Sequence, residues 1–167
     1  MFRYGEFPIN FVLDKIEYTN VRIPISLNDN TLYVRMNSQR YHLFKKQLFC
    51  NSCGLTGVKF CLETSEKNSI YPHFNLYAEE NGNEVLMTKD HIIPKSKGGK
   101  NNLKNYVTMC SVCNFLKDNK FITYDQVCIL RKFWNTNVVQ MSKKELISNI
   151  ETLRLDLEQC NLNQQEK

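Results

Sequence analysis

The densest chemistry in this 167-residue chain lies in Asp90-His91-Ile92-Ile93-Pro94-Lys95-Ser96-Lys97-Gly98-Gly99, in Asn105, and in Cys110-Ser111-Val112-Cys113-Asn114-Phe115-Leu116-Lys117. A second C-x-x-C pair, Cys50-Asn51-Ser52-Cys53, precedes it, with Gly54 suited to the tight turn after the second thiol. The chain has seven cysteines, an odd number that no disulfide scheme within one chain satisfies. The N-terminus carries acidic residues where a signal peptide needs an unbroken apolar run, so a reducing, cytoplasmic setting is expected. There, paired C-x-x-C units bind zinc more often than they form disulfides. Four thiolates make a closed, tetrahedral, soft-ligand site for Zn²⁺ at Cys50, Cys53, Cys110 and Cys113. The plainer alternative is four reduced core cysteines that repeat a spacing. Cys50 and Cys110 are 60 residues apart, so a shared ion closes a long loop and supports a small core.

Outward from the thiols, the spacing predicts mostly short elements. Asn37 or Ser38 caps a short helix over Gln39–Leu48, which leads to Cys50. His73–Tyr77 and Glu84–Thr88 read as hairpin strands around a turn over Glu79–Asn83, whose Asn81-Gly82 is a strong turn signal. Pro94–Asn105 reads as a surface loop, Tyr106–Met109 as a strand and Val112–Lys120 as a short helix. Thr123-x-x-Gln126 and Ser142-x-x-Glu145 are capping-box patterns opening two final helices, with Leu146, Ile150, Leu153 and Leu157 on one face of the second. Residues 1–36 read as irregular with short strands, one at Thr31–Arg35, and Asn161–Lys167 as frayed. The expected division is an N-terminal extension over 1–49, a core over 50–120 and a helical segment over 121–167.

Composition sets limits. Hydrophobic residues make up 42% and charged residues 23%, and the mean hydropathy is −0.44. No apolar run is long enough to span a bilayer, which argues against a membrane partner. The net charge of +5 is modest. It is concentrated, however: Lys89–Lys120 holds seven lysines against Asp90 and Asp118, a local balance of +5. Lys95, Lys97, Lys100, Lys104 and Lys117 are therefore candidate contacts to a phosphate backbone. Solvated loops also need lysines, so no single one is diagnostic.

The order and spacing of Asp90-His91, Asn105 and Cys110-x-x-Cys113-Asn114-x-x-Lys117, with both knuckles, resemble the HNH endonuclease family. The branch most similar is the zinc-stapled one that includes phage endonuclease VII. The resemblance covers residues 50–117 and implies an α+β fold with a ββα-metal core and flanking helices. It also implies hydrolysis of DNA phosphodiesters, with a structural Zn²⁺ and a catalytic Mg²⁺ or Mn²⁺. On this reading Asp90 and Asn114 offer oxygens to the catalytic cation, His91 is the general base, and Asn105 holds the backbone near it. A phage-encoded member would act in the host cytoplasm. Taken singly, Asp90 also suits a turn or a cap, Asn114 a helix cap, and His91 a surface position. His42, among Arg40, Lys45 and Lys46, reads as solvent-facing or near a backbone phosphate rather than catalytic. His73, at the start of the hairpin, reads as strand packing, with approach to the site across that hairpin as the lesser alternative. A catalytically inactive, zinc-stabilised nucleic-acid-binding module is the alternative function. The stripe on the last helix admits a homodimer or packing on its own domain.

Overall fold

The computed structural model describes residues 1–27, 30–66 and 69–165. Asn28 and Asp29, part of a polar cluster whose sequence is expected to interrupt any longer element, lie outside the described residues, as do Glu166 and Lys167 of the tail. The fold is mixed, with antiparallel sheets and flanking helices. In order, the elements are β1 (Phe2–Pro8), α1 (Ile9–Leu13), β2 (Arg22–Leu27), β3 (Asn30–Arg35), α2 (Gln39–Lys46), β4 (Gly57–Thr64), β5 (His73–Glu80), β6 (Asn83–His91), β7 (Tyr106–Cys110), α3 (Ser111–Lys117), α4 (Tyr124–Asn137) and α5 (Lys143–Gln165).

Five strands form one antiparallel sheet in the order β1-β4-β5-β6-β7, while β2 and β3 pair separately. The first strand thus lies beside β4, at the edge opposite β7. Phe60 and Leu62 pair with Leu76 and Phe74, and all four are fully buried in the core, as are Met87 and Met109. The opposite face of β4 and β5 is polar yet closed. Buried Glu63 accepts from Asn75 Nδ2 at 2.6 Å, Tyr77 hydroxyl at 3.0 Å and Arg3 Nε at 2.9 Å. Each partner offsets the cost of burying that carboxylate.

The hairpin is longer than its apolar pattern suggests. Its turn contracts to Asn81 (φ 52°) and Gly82 (φ 75°), consecutive left-handed residues that match the twist of both strands. Ser38 caps α2 by accepting from Arg40 N, and Thr123 and Gln126 form the full capping box of α4. The helix over α3 stops at Lys117, three residues before its expected end, because Asp118 adopts φ 53°. Buried Arg154 of α5 donates to the carbonyls of Leu116 (2.8 Å) and Phe115 (2.9 Å), satisfying that helix end. Leu146 and Ile150 of α5 are buried in the core of their own chain, with Leu153 and Leu157 packed against it. The last helix runs on through Gln165 where fraying was expected. No helix among the described residues is long and apolar enough to cross a membrane.

Candidate metal and catalytic site

The four knuckle cysteines come together. Their sulfurs all lie within 4.8 Å of one another, and Cys53 and Cys110 Sγ are 3.8 Å apart. A tetrahedral Zn²⁺ with Zn–S bonds near 2.3 Å needs sulfur separations of about 3.8 Å. The cluster is a four-cysteine group consistent with a structural zinc site. Its first pair is shaped by local backbone: Cys50 N donates to Leu55 O, Gly54 N donates to Cys50 O, and Gly54 takes φ 76°. Its second pair straddles a helix start, with Cys110 as the N-cap of α3 and its sulfur accepting from Cys113 N. Hydrogen bonding with Cys110 pulls the Cys50 thiol far below its ordinary value, and hydrogen bonding with Cys110 pushes Cys113 far above it. A dication shared by the four sulfurs would favour the thiolate form at each of them.

Neighbouring elements brace the cluster. Asn51 N donates to Thr108 O on β7, Ser52 Oγ donates to Tyr124 O on α4, and Cys128 Sγ donates to Ser52 O. Arg131 reaches Cys110 Sγ at 3.6 Å and pairs with Glu80. Glu6, Cys61 and Glu84 also converge. That group is already neutralised, by Lys59 to Glu6 (3.0 Å) and Glu84 (2.8 Å) and by Arg3 to Glu84 (2.7 Å). Burial also pushes the Cys61 thiol up to about 11, so it stays protonated.

Beside the thiols, a cleft of about 730 Å³ is lined by Thr88, Asp90 and His91 from β6, Asn114 and Lys117 from α3, and Ile147, Ile150, Glu151 and Arg154 from α5. Asp90 and His91 are adjacent on a strand, so their side chains leave opposite faces. The strand ends at His91, and both residues still line the one cleft. Asp90 is buried. Lys117 Nζ lies 2.9 Å from its Oδ2 but outside hydrogen-bonding alignment, and Oδ2 has no hydrogen-bond partner. The Tyr124 hydroxyl is likewise buried without a partner, and burial plus the charge of Asp90 push its pKa up to about 12. A buried carboxylate oxygen that accepts no hydrogen bond, even with an ammonium beside it, is the type of donor a hard cation takes.

Asn114 offers the second oxygen. Its Nδ2 donates to Thr88 Oγ1 at 2.9 Å, and Thr88 Oγ1 donates to Met109 O at 2.8 Å. The relay commits the amide nitrogen to the strand and leaves Oδ1 for a ligand. Thr88 was not singled out from the sequence, although its place two residues before Asp90 on one strand puts both on the same face.

Asn105 stitches the loop that follows His91. Its Oδ1 accepts from Ile93 N (2.9 Å), and its Nδ2 donates to Ile93 O (3.1 Å) and Lys100 O (3.0 Å). Its own carbonyl accepts from Ile92 N. Gly99 is pressed into this knot: a Cβ there would stand 1.8 Å from Ile93 O and 2.9 Å from Asn105 Nδ2. Gly99→Ala is therefore expected to lose about 1–3 kcal/mol, the usual cost of overpacking. Urea unfolding reads that loss, and an unchanged midpoint would refute the close approach.

The lysines separate into two groups. Lys95, Lys97, Lys100 and Lys104 are exposed, with Lys95 on the cleft wall and Lys97 3.8 Å from Glu158. Lys117 is buried, its ammonium held between Asp90 and the His91 carbonyl at 2.9 Å. His42 and His73 do not line this cleft. Burial lowers the pKa of each, and His42 stacks on Tyr18. No curated protein and no solved structure matches the chain. Residues 78–123, which hold β6, the loop, β7 and α3, match the family described as HNH endonuclease.

Proposed function

We propose that this protein is a divalent-metal-dependent HNH endonuclease that hydrolyses DNA phosphodiester bonds, leaving 5′-phosphate and 3′-hydroxyl ends. The observation that carries the proposal is the shared cleft of Asp90, His91 and Asn114 beside the four-cysteine group, inside the segment that matches the family. Strand β6, strand β7 and helix α3 then correspond to a ββα-metal core. The zinc group anchors its second strand and helix to the knuckle before β4. Asp90 Oδ2 and Asn114 Oδ1 would hold Mg²⁺ or Mn²⁺. When bound, such a cation neutralises phosphate charge and stabilises the departing 3′ oxygen. His91 accepts the proton of the attacking water. Asn105 keeps the backbone after His91 in place, and Lys95, Lys97, Lys100 and Lys104 meet flanking phosphates, so affinity falls steeply with salt. Lys117 acts from beneath the site, through Asp90.

The test is nicking of supercoiled plasmid with Mg²⁺ or Mn²⁺ against an EDTA control. His91→Ala should retain DNA binding and cut about 10²–10⁴-fold more slowly under single-turnover conditions, the usual worth of a general base. Equal rates for parent and variant would overturn the assignment. One observation favours the alternative of a non-catalytic DNA-binding module, namely an ammonium already standing against the Asp90 carboxylate. That reading prevails if the holoprotein binds DNA and never nicks it with either cation.

A further inference from the structure

The chain holds His91 through a contact the motif does not contain. His91 Nε2 lies 2.9 Å from Asn101 Oδ1, and the same oxygen accepts the Tyr106 hydroxyl at 3.1 Å. The Tyr106 ring meets the imidazole edge-on, with centroids 4.8 Å apart. An amide oxygen carries no proton, so a hydrogen bond between it and Nε2 requires the hydrogen on Nε2. The other ring nitrogen, Nδ1, then keeps its lone pair. Tyr106 is the cross-strand partner of His91 on β7, which places its hydroxyl within reach of the loop. The loop is closed onto Asn101 from both sides. Asn105 Nδ2 holds the carbonyl of Lys100, and Gln39 Nε2 of α2 approaches the carbonyl of Asn101 at 3.5 Å.

We infer that Asn101 is the positioning residue of the general base: with Tyr106 it fixes the Nε2–H tautomer and the ring pose of His91, leaving Nδ1 to take the proton from water. The inference rests on the nuclease reading for its catalytic meaning. The tautomer and the pose stand on geometry alone. Asn101 touches no reacting atom. Its effect passes through His91, as the tautomer of a ring is set by what its other nitrogen bonds.

The experiment uses the zinc-loaded full chain labelled with ¹⁵N at its three histidines. Long-range ¹H–¹⁵N spectra are recorded at alkaline pH, with His91→Ala assigning the signal. The parent should show His91 as the Nε2–H tautomer. Asn101→Ala should show a mixture of tautomers, and Asn101→Asp, which keeps an acceptor oxygen at the same place, should restore the single form. In single-turnover cleavage, Asn101→Ala should lower the rate about 10- to 100-fold, part of the 10²–10⁴ that a general base supplies. KM, zinc content and the thermal midpoint should change little, and Asn101→Asp should recover to within a few-fold of the parent. An Nδ1–H parent, an unchanged rate in Asn101→Ala, or an Asn101→Asp no better than Asn101→Ala would each overturn the inference. The two readings fail separately. A parent with the expected tautomer that never nicks DNA refutes the nuclease. A His91-dependent nuclease indifferent to Asn101→Ala refutes the positioning role.

Discussion

Replacing one thiolate, Cys113→Ser, is expected to strip the chain of its zinc and to abolish cooperative unfolding. Structural zinc contributes an apparent binding free energy of about 10–16 kcal/mol in small zinc-folded peptides. An entire ordinary domain is stable by only about 5–15 kcal/mol. The metal term is as large as the whole margin, so weakening it decides whether the holo fold exists. Cys113 is fully buried, and its sulfur shares a volume with three others drawn from opposite ends of the chain's core. Without the ion, the knuckle at Cys50–Cys53 is released from the start of α3. Asn114, the next residue, then loses its fixed relation to Thr88. The measurement is zinc per chain by elemental analysis, alongside thermal unfolding by circular dichroism. The parent should carry one equivalent, Cys113→Ser far less, and the exposed-cysteine control Cys160→Ser the full amount. A parent that carries no zinc, with an unchanged transition in Cys113→Ser, would show that the cluster is a set of reduced core thiols.

That cluster was legible because two C-x-x-C pairs are a local signal that points to shared metal ligation. Ser38, the Asn81-Gly82 turn and the Thr123–Gln126 box were legible for the same reason: each is written in four or five adjacent residues. Strand β4 was not. Gly57-Val58-Lys59-Phe60-Cys61-Leu62-Glu63-Thr64 shows no clean alternation, because from Phe60 onward both of its faces are buried. Glu63 reads as a solvent residue until Asn75, Tyr77 and Arg3 are seen around it. The first strand was illegible for a related reason, since its partner, Phe60 opposite Phe7, lies over fifty residues away. In and beside the cleft, Asp90, His91, Asn114 and the loop-holding Asn105 were singled out because the motif orders them. Thr88 had a faint signal in strand periodicity. Asn101 had none: it is one amide in a polar loop, and its nearness to His91 depends on how Gly99 and Asn105 close that loop. The far wall of the cleft was equally hidden, because Ile147, Glu151 and Arg154 come from a helix whose pattern says only that one face is apolar.

Asp90→Ala is expected to unfold the protein more readily by about 3–5 kcal/mol, the cost of leaving the other half of a buried ion pair uncompensated. Lys117 is the reason. Its side chain is 2% exposed and that of Asp90 10%, with 2.9 Å between Nζ and Oδ2. Removing the carboxylate leaves an ammonium in the interior with one carbonyl, that of His91, as its remaining partner. A charge so placed is held at a loss that no surface residue repairs. The consequence separates two effects that a single substitution confuses. Asp90→Ala should lose both cleavage and stability. The double variant Asp90→Ala/Lys117→Met, which removes both charges and keeps an unbranched apolar chain in place of the lysine, should regain most of the stability. It should still fail to cleave, because the proposed cation ligand is gone. Urea denaturation of parent, both single variants and the double variant measures the coupling directly. A coupling near zero would mean that the ammonium is solvated from the cleft and that the pair contributes nothing. A double variant that recovers stability and cleavage together would mean that Asp90 serves the fold alone, and the oxygen that holds the cation would have to be sought on another side chain of the cleft, with Glu151 of α5 the first to test.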